Sequence, residues 1–131
     1  MEKKVFFQLQ FSVPTNSIDT IQTVLEKVSR SCGSFLTVLK KFGEKSSGGL
    51  LSFPSEGYTL TLDFPNRGSL TKKQVREFEE IIMASGGRIY LAKDGLMSSD
   101  SFRNGYTQID KFKGQKDPVF SSSMWRRLGV T

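Results

Sequence analysis

Histidine is absent from the 131 residues, and Cys32 is the only cysteine. These shortages exclude a disulfide within the chain, the usual zinc sites and every Ser-His or Cys-His nucleophile pair. No metal is expected, and any chemistry must rest on lysine, tyrosine, carboxylates or a bound cofactor. Cys32 stands beside Gly33 at the end of a helix-like stretch, where a thiol reads as a small buried hydrophobe. No run approaches the roughly 18 consecutive apolar residues that a membrane-spanning helix needs, and the start Met1-Glu2-Lys3-Lys4 lacks the apolar stretch of a signal peptide. A soluble, cytoplasmic location is therefore expected. No internal repeat and no G-x-G-x-x-G phosphate loop occurs, so the chain has no visible means of holding a dinucleotide alone.

What is present suffices for one ordinary core, since 37% of the residues are hydrophobic. Lysine and arginine number 19 against 13 acids, a net charge of +6 that favours anionic partners without naming one. Val5, Phe7, Leu9, Phe11 and Val13 alternate with Phe6, Gln8, Gln10 and Ser12, the period of a strand, and Pro14 ends it. Asn16 or Ser17 can cap a helix in which Ile18, Ile21, Leu25 and Val28 recur at helical spacing until Gly33. Phe35 to Phe42 reads as a second strand, Gly43 to Gly49 as a flexible polar loop, and Tyr58 to Phe64 as a clear third strand. Thr71 and Gln74 have capping-box spacing ahead of Val75, Phe78 and Ile82, and Gly86-Gly87 stops this second helix. Arg88 to Ala92 completes the set as a short strand.

Strand, helix, strand, strand, helix, strand is the order of an α+β, ferredoxin-like βαββαβ domain over residues 1–93, an antiparallel sheet with both helices on one face. The other face would carry Gln8, Gln10, Thr59, Thr61 and Lys40, a polar set that calls for water or a ligand. Residues 94–131 form a helical C-terminal extension, with Ser98 to Ser101 and Ser121 to Ser123 as helix starts. Its apolar bulk, Tyr106, Phe112, Phe120 and Trp125, must fold back on the sheet or dock on another domain.

Six strings carry a resemblance: Phe7-Gln-Leu-Gln-Phe-Ser-Val-Pro14, Ser34-Phe-Leu-Thr-Val-Leu-Lys-Lys-Phe-Gly43, Leu51-Ser-Phe-Pro54, Leu62-Asp-Phe-Pro65, Gly86-Gly-Arg-Ile-Tyr-Leu-Ala-Lys-Asp94 and Arg126-Arg-Leu-Gly129. In this order and spacing the chain resembles the C-terminal part of flavoproteins of the vanillyl-alcohol-oxidase type. The resemblance implies a substrate-side fragment of an FAD-linked oxidoreductase acting on a CH–OH group. FAD would be held by an absent N-terminal domain, on which residues 94–131 would dock. The implied substrate is a sugar or polyol, and a lipid-phosphate-linked one is compatible, as is membrane association of a cytoplasmic parent. The isolated chain is expected to bind no FAD and turn over nothing.

By the same resemblance Lys93 is the catalytic candidate, close to flavin and substrate, and Tyr90 places a phenol on the flavin side of the same segment. An ammonium there can stabilise charge on the reduced flavin or orient the alcohol, and a neutral amine, formed if desolvation lowers its pKa, can accept the hydroxyl proton. The alternative for Lys93 is a solvated ion pair with Asp94. Gln8, Gln10, Val38 and Lys40 match substrate-pocket positions. Thr59 and Thr61, also assigned to the substrate pocket, depart from the asparagine and cysteine of the mycobacterial members that the chain resembles, which alters the pocket's hydrogen-bonding inventory.

From another class, a basic ferredoxin-like sheet could bind RNA, but Lys41-Phe42-Gly43-Glu44 matches the RNP1 pattern only in fragments, so no nucleic acid is expected. A ligand-free interaction module is the third possibility.

Overall fold

A computed structural model describes residues 5–31 and 36–130. Cys32, Gly33 and Phe35, and the expectations attached to them, lie outside these. Strand β1 (Phe6–Val13) leads through a single 3-10 turn (Thr15–Ser17) into helix α1 (Ile18–Ser31). Strands β2 (Leu36–Phe42) and β3 (Gly57–Pro65) follow, then helix α2 (Ser69–Ala84) and the two-residue strand β4 (Arg88–Ile89). Three short helices close the chain: α3 (Ser99–Gly105), α4 (Ile109–Gln115) and α5 (Ser123–Arg127).

The strands form one antiparallel sheet in the order β2-β3-β1-β4, the arrangement of a split βαβ pair. Alternation decides which face is buried. Leu9, Phe11 and Val13 of β1 and Leu60, Leu62 and Phe64 of β3 point to the helices, where Ile21, Val24 and Val28 of α1 and Val75, Phe78 and Ile82 of α2 meet them in one core. That core also takes Met97, Phe102, Tyr106, Ile109, Leu128 and Val130. The extension's apolar bulk therefore folds back on the sheet and helices, while Phe120 stays exposed.

Several local expectations are corrected. Ser17 does not cap α1; its hydroxyl donates to the Ser85 carbonyl at 3.2 Å. The capping box at Thr71 is not formed, because α2 starts two residues earlier at Ser69, behind Gly68 at φ 66°. The Thr71 hydroxyl instead accepts from the Arg67 amide at 2.8 Å and donates to the Pro65 carbonyl. Serine caps do form on α3 and α5: Ser98 accepts from the Ser101 amide and Ser122 from the Trp125 amide.

The end of β4 differs most from the expected strand at 88–92. After Ile89 only Tyr90 continues the ladder, its amide donating to the Gln10 carbonyl at 2.8 Å. The chain then turns, with the Lys93 amide on the Tyr90 carbonyl and the Gln10 amide donating to the Lys93 carbonyl at 3.4 Å. Leu91 and Ala92 are looped out, a bulge of the kind that ends pairing and re-aims a side chain at a sheet edge. Tyr106 secures this edge from α3, its hydroxyl donating to the Ile89 carbonyl at 2.6 Å, and burial pushes the phenol's pKa up.

Candidate functional site on the open face of the sheet

The register assembles the predicted residues. Gln10 lies opposite Thr61, Thr61 opposite Val38, and Tyr90 flanks Gln10 on the far side. One row across all four strands thus reads Tyr90, Gln10, Thr61, Val38. The next row reads Arg88, Ser12, Thr59, Lys40, and a third holds Gln8, Asp63 and Leu36. Neighbouring strands lie about 4.8 Å apart, so each four-residue row spans roughly 14 Å. Period 2 keeps all of these side chains off the helical face.

Polar side chains on this face are tied to one another. Gln10 Nε2 donates to Thr59 Oγ1 at 3.0 Å, and that hydroxyl donates to the Phe11 carbonyl at 2.9 Å. Gln8 Nε2 donates to Asp63 Oδ1 at 2.8 Å. Each glutamine therefore spends an amide donor on β3, and the two act on separate partners rather than as a free pair. Lys40 and Gln8 are exposed, whereas Gln10, Val38, Tyr90 and Lys93 are half-buried.

Thr59 and Thr61 are 1% and 6% exposed, more enclosed than a bare polar face would be. The cause is the segment between β2 and β3. Its first half is exposed, but Phe53, only 5% exposed, comes back over the sheet. Its ring stacks on Tyr90 with centroids 4.6 Å apart and meets Phe42 edge-on at 5.8 Å, so three rings bridge the open face from β4 to β2. Arg88 Nη1 donates to the Ser52 carbonyl at 3.0 Å and fixes the segment from below. The rings face each other instead of standing free as platforms for nucleic-acid bases.

Lys93 sits on the looped-out turn, its main chain beside Gln10. The expected alternative, an ion pair with Asp94, is not what forms. Asp94, with its side chain 1% exposed, accepts from the Leu96 and Met97 amides at 2.9 and 2.7 Å and pairs with Arg127 Nη2 at 2.8 Å. Arg127 also donates to the Met97 carbonyl. Among the described residues no ion pair involves the Lys93 amine. A carboxylate saturated by three donors leaves its neighbouring ammonium available to another anion or oxygen.

Sequence reasoning gave no role to Phe53, Arg88, Asp63 or Arg127. Phe53 carried a signal, a phenylalanine followed by proline within a polar loop. The Asp94–Arg127 pair spans 33 positions and has no local signature.

No family model matches the chain. It is similar to decaprenylphosphoryl-beta-D-ribose oxidase of Mycolicibacterium smegmatis, 36% identical over 129 residues, covering 94% of this chain and 28% of that protein. It is also 33% identical over 118 residues to an uncharacterized protein in the mprA 5' region of Streptomyces coelicolor, covering 86% of this chain and 32% of the relative. The chain thus spans about three tenths of the length of these curated relatives. The first similarity bears out the resemblance drawn from the six strings. No helix among the described residues is long and apolar enough to cross a membrane.

Proposed function

We propose, from the similarity to decaprenylphosphoryl-beta-D-ribose oxidase, that this chain is the substrate-side portion of an FAD-dependent oxidoreductase acting on a sugar or polyol alcohol. The observation that carries the reading is that 36% identity over 94% of the chain coincides with a face where Tyr90, Gln10, Thr61 and Val38 line up across the strands beside the Lys93 turn.

The described residues fit contact with the edge of a flavin ring, not possession of the whole cofactor. No G-x-G-x-x-G lies between a strand and a helix, so the diphosphate would be held by other polypeptide, on which residues 94–131 would dock through exposed apolar groups such as Val119 and Phe120. Lys93 offers an ammonium without a protein counter-ion among the described residues, and Tyr90 offers a phenol, with one face of its ring covered by Phe53. FAD, when bound, supplies a two-electron acceptor.

This chain's residues then bind and orient. Gln10, already fixed by Thr59, and Gln8, fixed by Asp63, present preorganised amide groups to sugar hydroxyls. Lys40, exposed at the end of its row, is placed for a phosphate or outer hydroxyl. The Phe53 bridge excludes water over Thr59 and Thr61 and gives the face an apolar wall beside its polar rows. Lys93 Nζ would donate hydrogen bonds to the carbinol oxygen or the flavin edge and so set positive charge where negative charge develops.

In the complete flavoprotein, Lys93→Ala should slow flavin reduction by substrate about a hundredfold or more, with FAD content unchanged. Stopped-flow absorbance with the wild-type rate of reduction would refute the assignment.

A further inference from the structure

On the opposite side of the molecule, we propose that the groove between α1 and α2 is a second binding site, for the phosphate group of an anionic ligand. The groove encloses about 470 Å³. Lys27 and Arg30 line it from the last turns of α1, Arg67 from the β3–α2 connection, and Lys73 and Glu77 from α2, with Leu70 at its rim. Four cations thus converge on a space that holds one carboxylate.

Spacing puts them there. Residues 27 and 30 share one face of α1, and 70, 73 and 77 share one face of α2, at separations of three and four. All four cations are exposed, and among the described residues none has an ion-pair partner. Like charges gathered in one concavity raise each other's energy, and a bound anion relieves the whole set at once. Two of the four are arginines, whose planar forks match the oxygens of a phosphate. Among the described residues no aromatic side chain lines the groove, and these residues offer no stacking surface for nucleic-acid bases. A phosphate monoester, diphosphate or phospholipid headgroup shares the chemistry that the groove recognises. Leu70 is 69% exposed at the mouth, an apolar contact for the hydrocarbon attached to such a headgroup.

The test uses the whole chain, with inorganic pyrophosphate as the soluble probe and phosphatidylcholine vesicles with or without phosphatidylglycerol as the membrane probe. Pyrophosphate titrated against backbone amide NMR signals should give saturable shifts centred on the groove. Arg30→Gln with Arg67→Gln should weaken binding at least tenfold, and Lys27→Gln with Lys73→Gln should do the same. Lys111→Gln with Arg126→Gln, which removes equal charge from the C-terminal helices, should change binding less than twofold. Thermal unfolding checks that each double variant remains folded. Flotation with phosphatidylglycerol vesicles alone, lost in the groove variants and kept in the control, assigns a lipid phosphate. Pyrophosphate binding without flotation assigns a free phosphate compound. No saturable binding of either probe, equal weakening by all three double variants, or binding to single-stranded RNA alone would overturn the proposal.

Discussion

Asp94→Ala tests the joint that carries Lys93. The carboxylate is almost fully enclosed and accepts three hydrogen bonds, from the Leu96 and Met97 amides and from Arg127. A bond to a charged group contributes about 1.5–3 kcal/mol, but the three share one acceptor and their losses do not add. Alanine leaves two half-buried amides and one guanidinium unmatched, though Arg127 is a third exposed and recovers water. We therefore expect a loss of about 3 kcal/mol, the lower edge of what breaking a buried pair costs. At an unfolding entropy near 2.1 cal/mol/K per residue, this lowers the Tm by about 10 °C. Asp94→Asn, which keeps one acceptor oxygen, should lose about half as much, and Arg127→Ala about 1–2 kcal/mol. Trp125, the only tryptophan, packs on Phe102 and Phe112 and reports urea unfolding directly. If Asp94→Ala unfolds within about 0.5 kcal/mol of wild type, the carboxylate does not fasten the turn and the argument fails.

Other perturbations probe the remaining joints. Gly87→Ala would place a methyl 2.5 Å from the Ser12 carbonyl oxygen and 2.9 Å from Ile82 Cγ2, so a loss of about 1–3 kcal/mol is expected in urea titration. Phe53→Ala removes the central ring of the bridge and should cost about 3 kcal/mol, with faster hydrogen exchange at residues 50–56 if the ring holds that segment down. Tyr106→Phe should cost about 1 kcal/mol through loss of the bond to Ile89. The wild-type phenol stays protonated above its unfolded value near 10, so its share of stability is complete below about pH 10 and falls as pH rises further. Urea midpoints at pH 8 and 10.5 should therefore converge for wild type and Tyr106→Phe at the higher pH; a constant gap would contradict the buried, proton-retaining phenol.

Periodicity carried most of the fold. Alternation in β1 and β3 and helical spacing in α1 and α2 were strong enough to yield both the element order and the face on which Gln8, Gln10, Thr59 and Thr61 sit. Register was not legible, because period 2 names a face but not a partner, and only the pairing puts Gln10 opposite Thr61 and Thr59 opposite Lys40. The false strand at 91–92 arose from residues that look like a strand continuation, while the hydrogen bonds of Gln10 close around Tyr90 and Lys93 and leave them out. Thr71 and Gln74 imitate a capping box, yet Asn66 Oδ1 accepts from the Gly68 amide and the helix starts behind that glycine. Phe53 and the Asp94–Arg127 pair depend on segments far apart in sequence, where local patterns are silent.

The burial of the last residues in the same core as the first strand bears on how the chain is made. Leu128 and Val130 are buried in the same cluster as Leu9 and Phe11. Ser99 Oγ donates to the Leu128 carbonyl at 3.1 Å, which closes the last segment onto α3. During vectorial synthesis the core cannot seal until these residues have left the ribosome. A nascent chain arrested before Ser123 holds Met97 and Phe102 without their cover, a sticky surface that chaperones recognise.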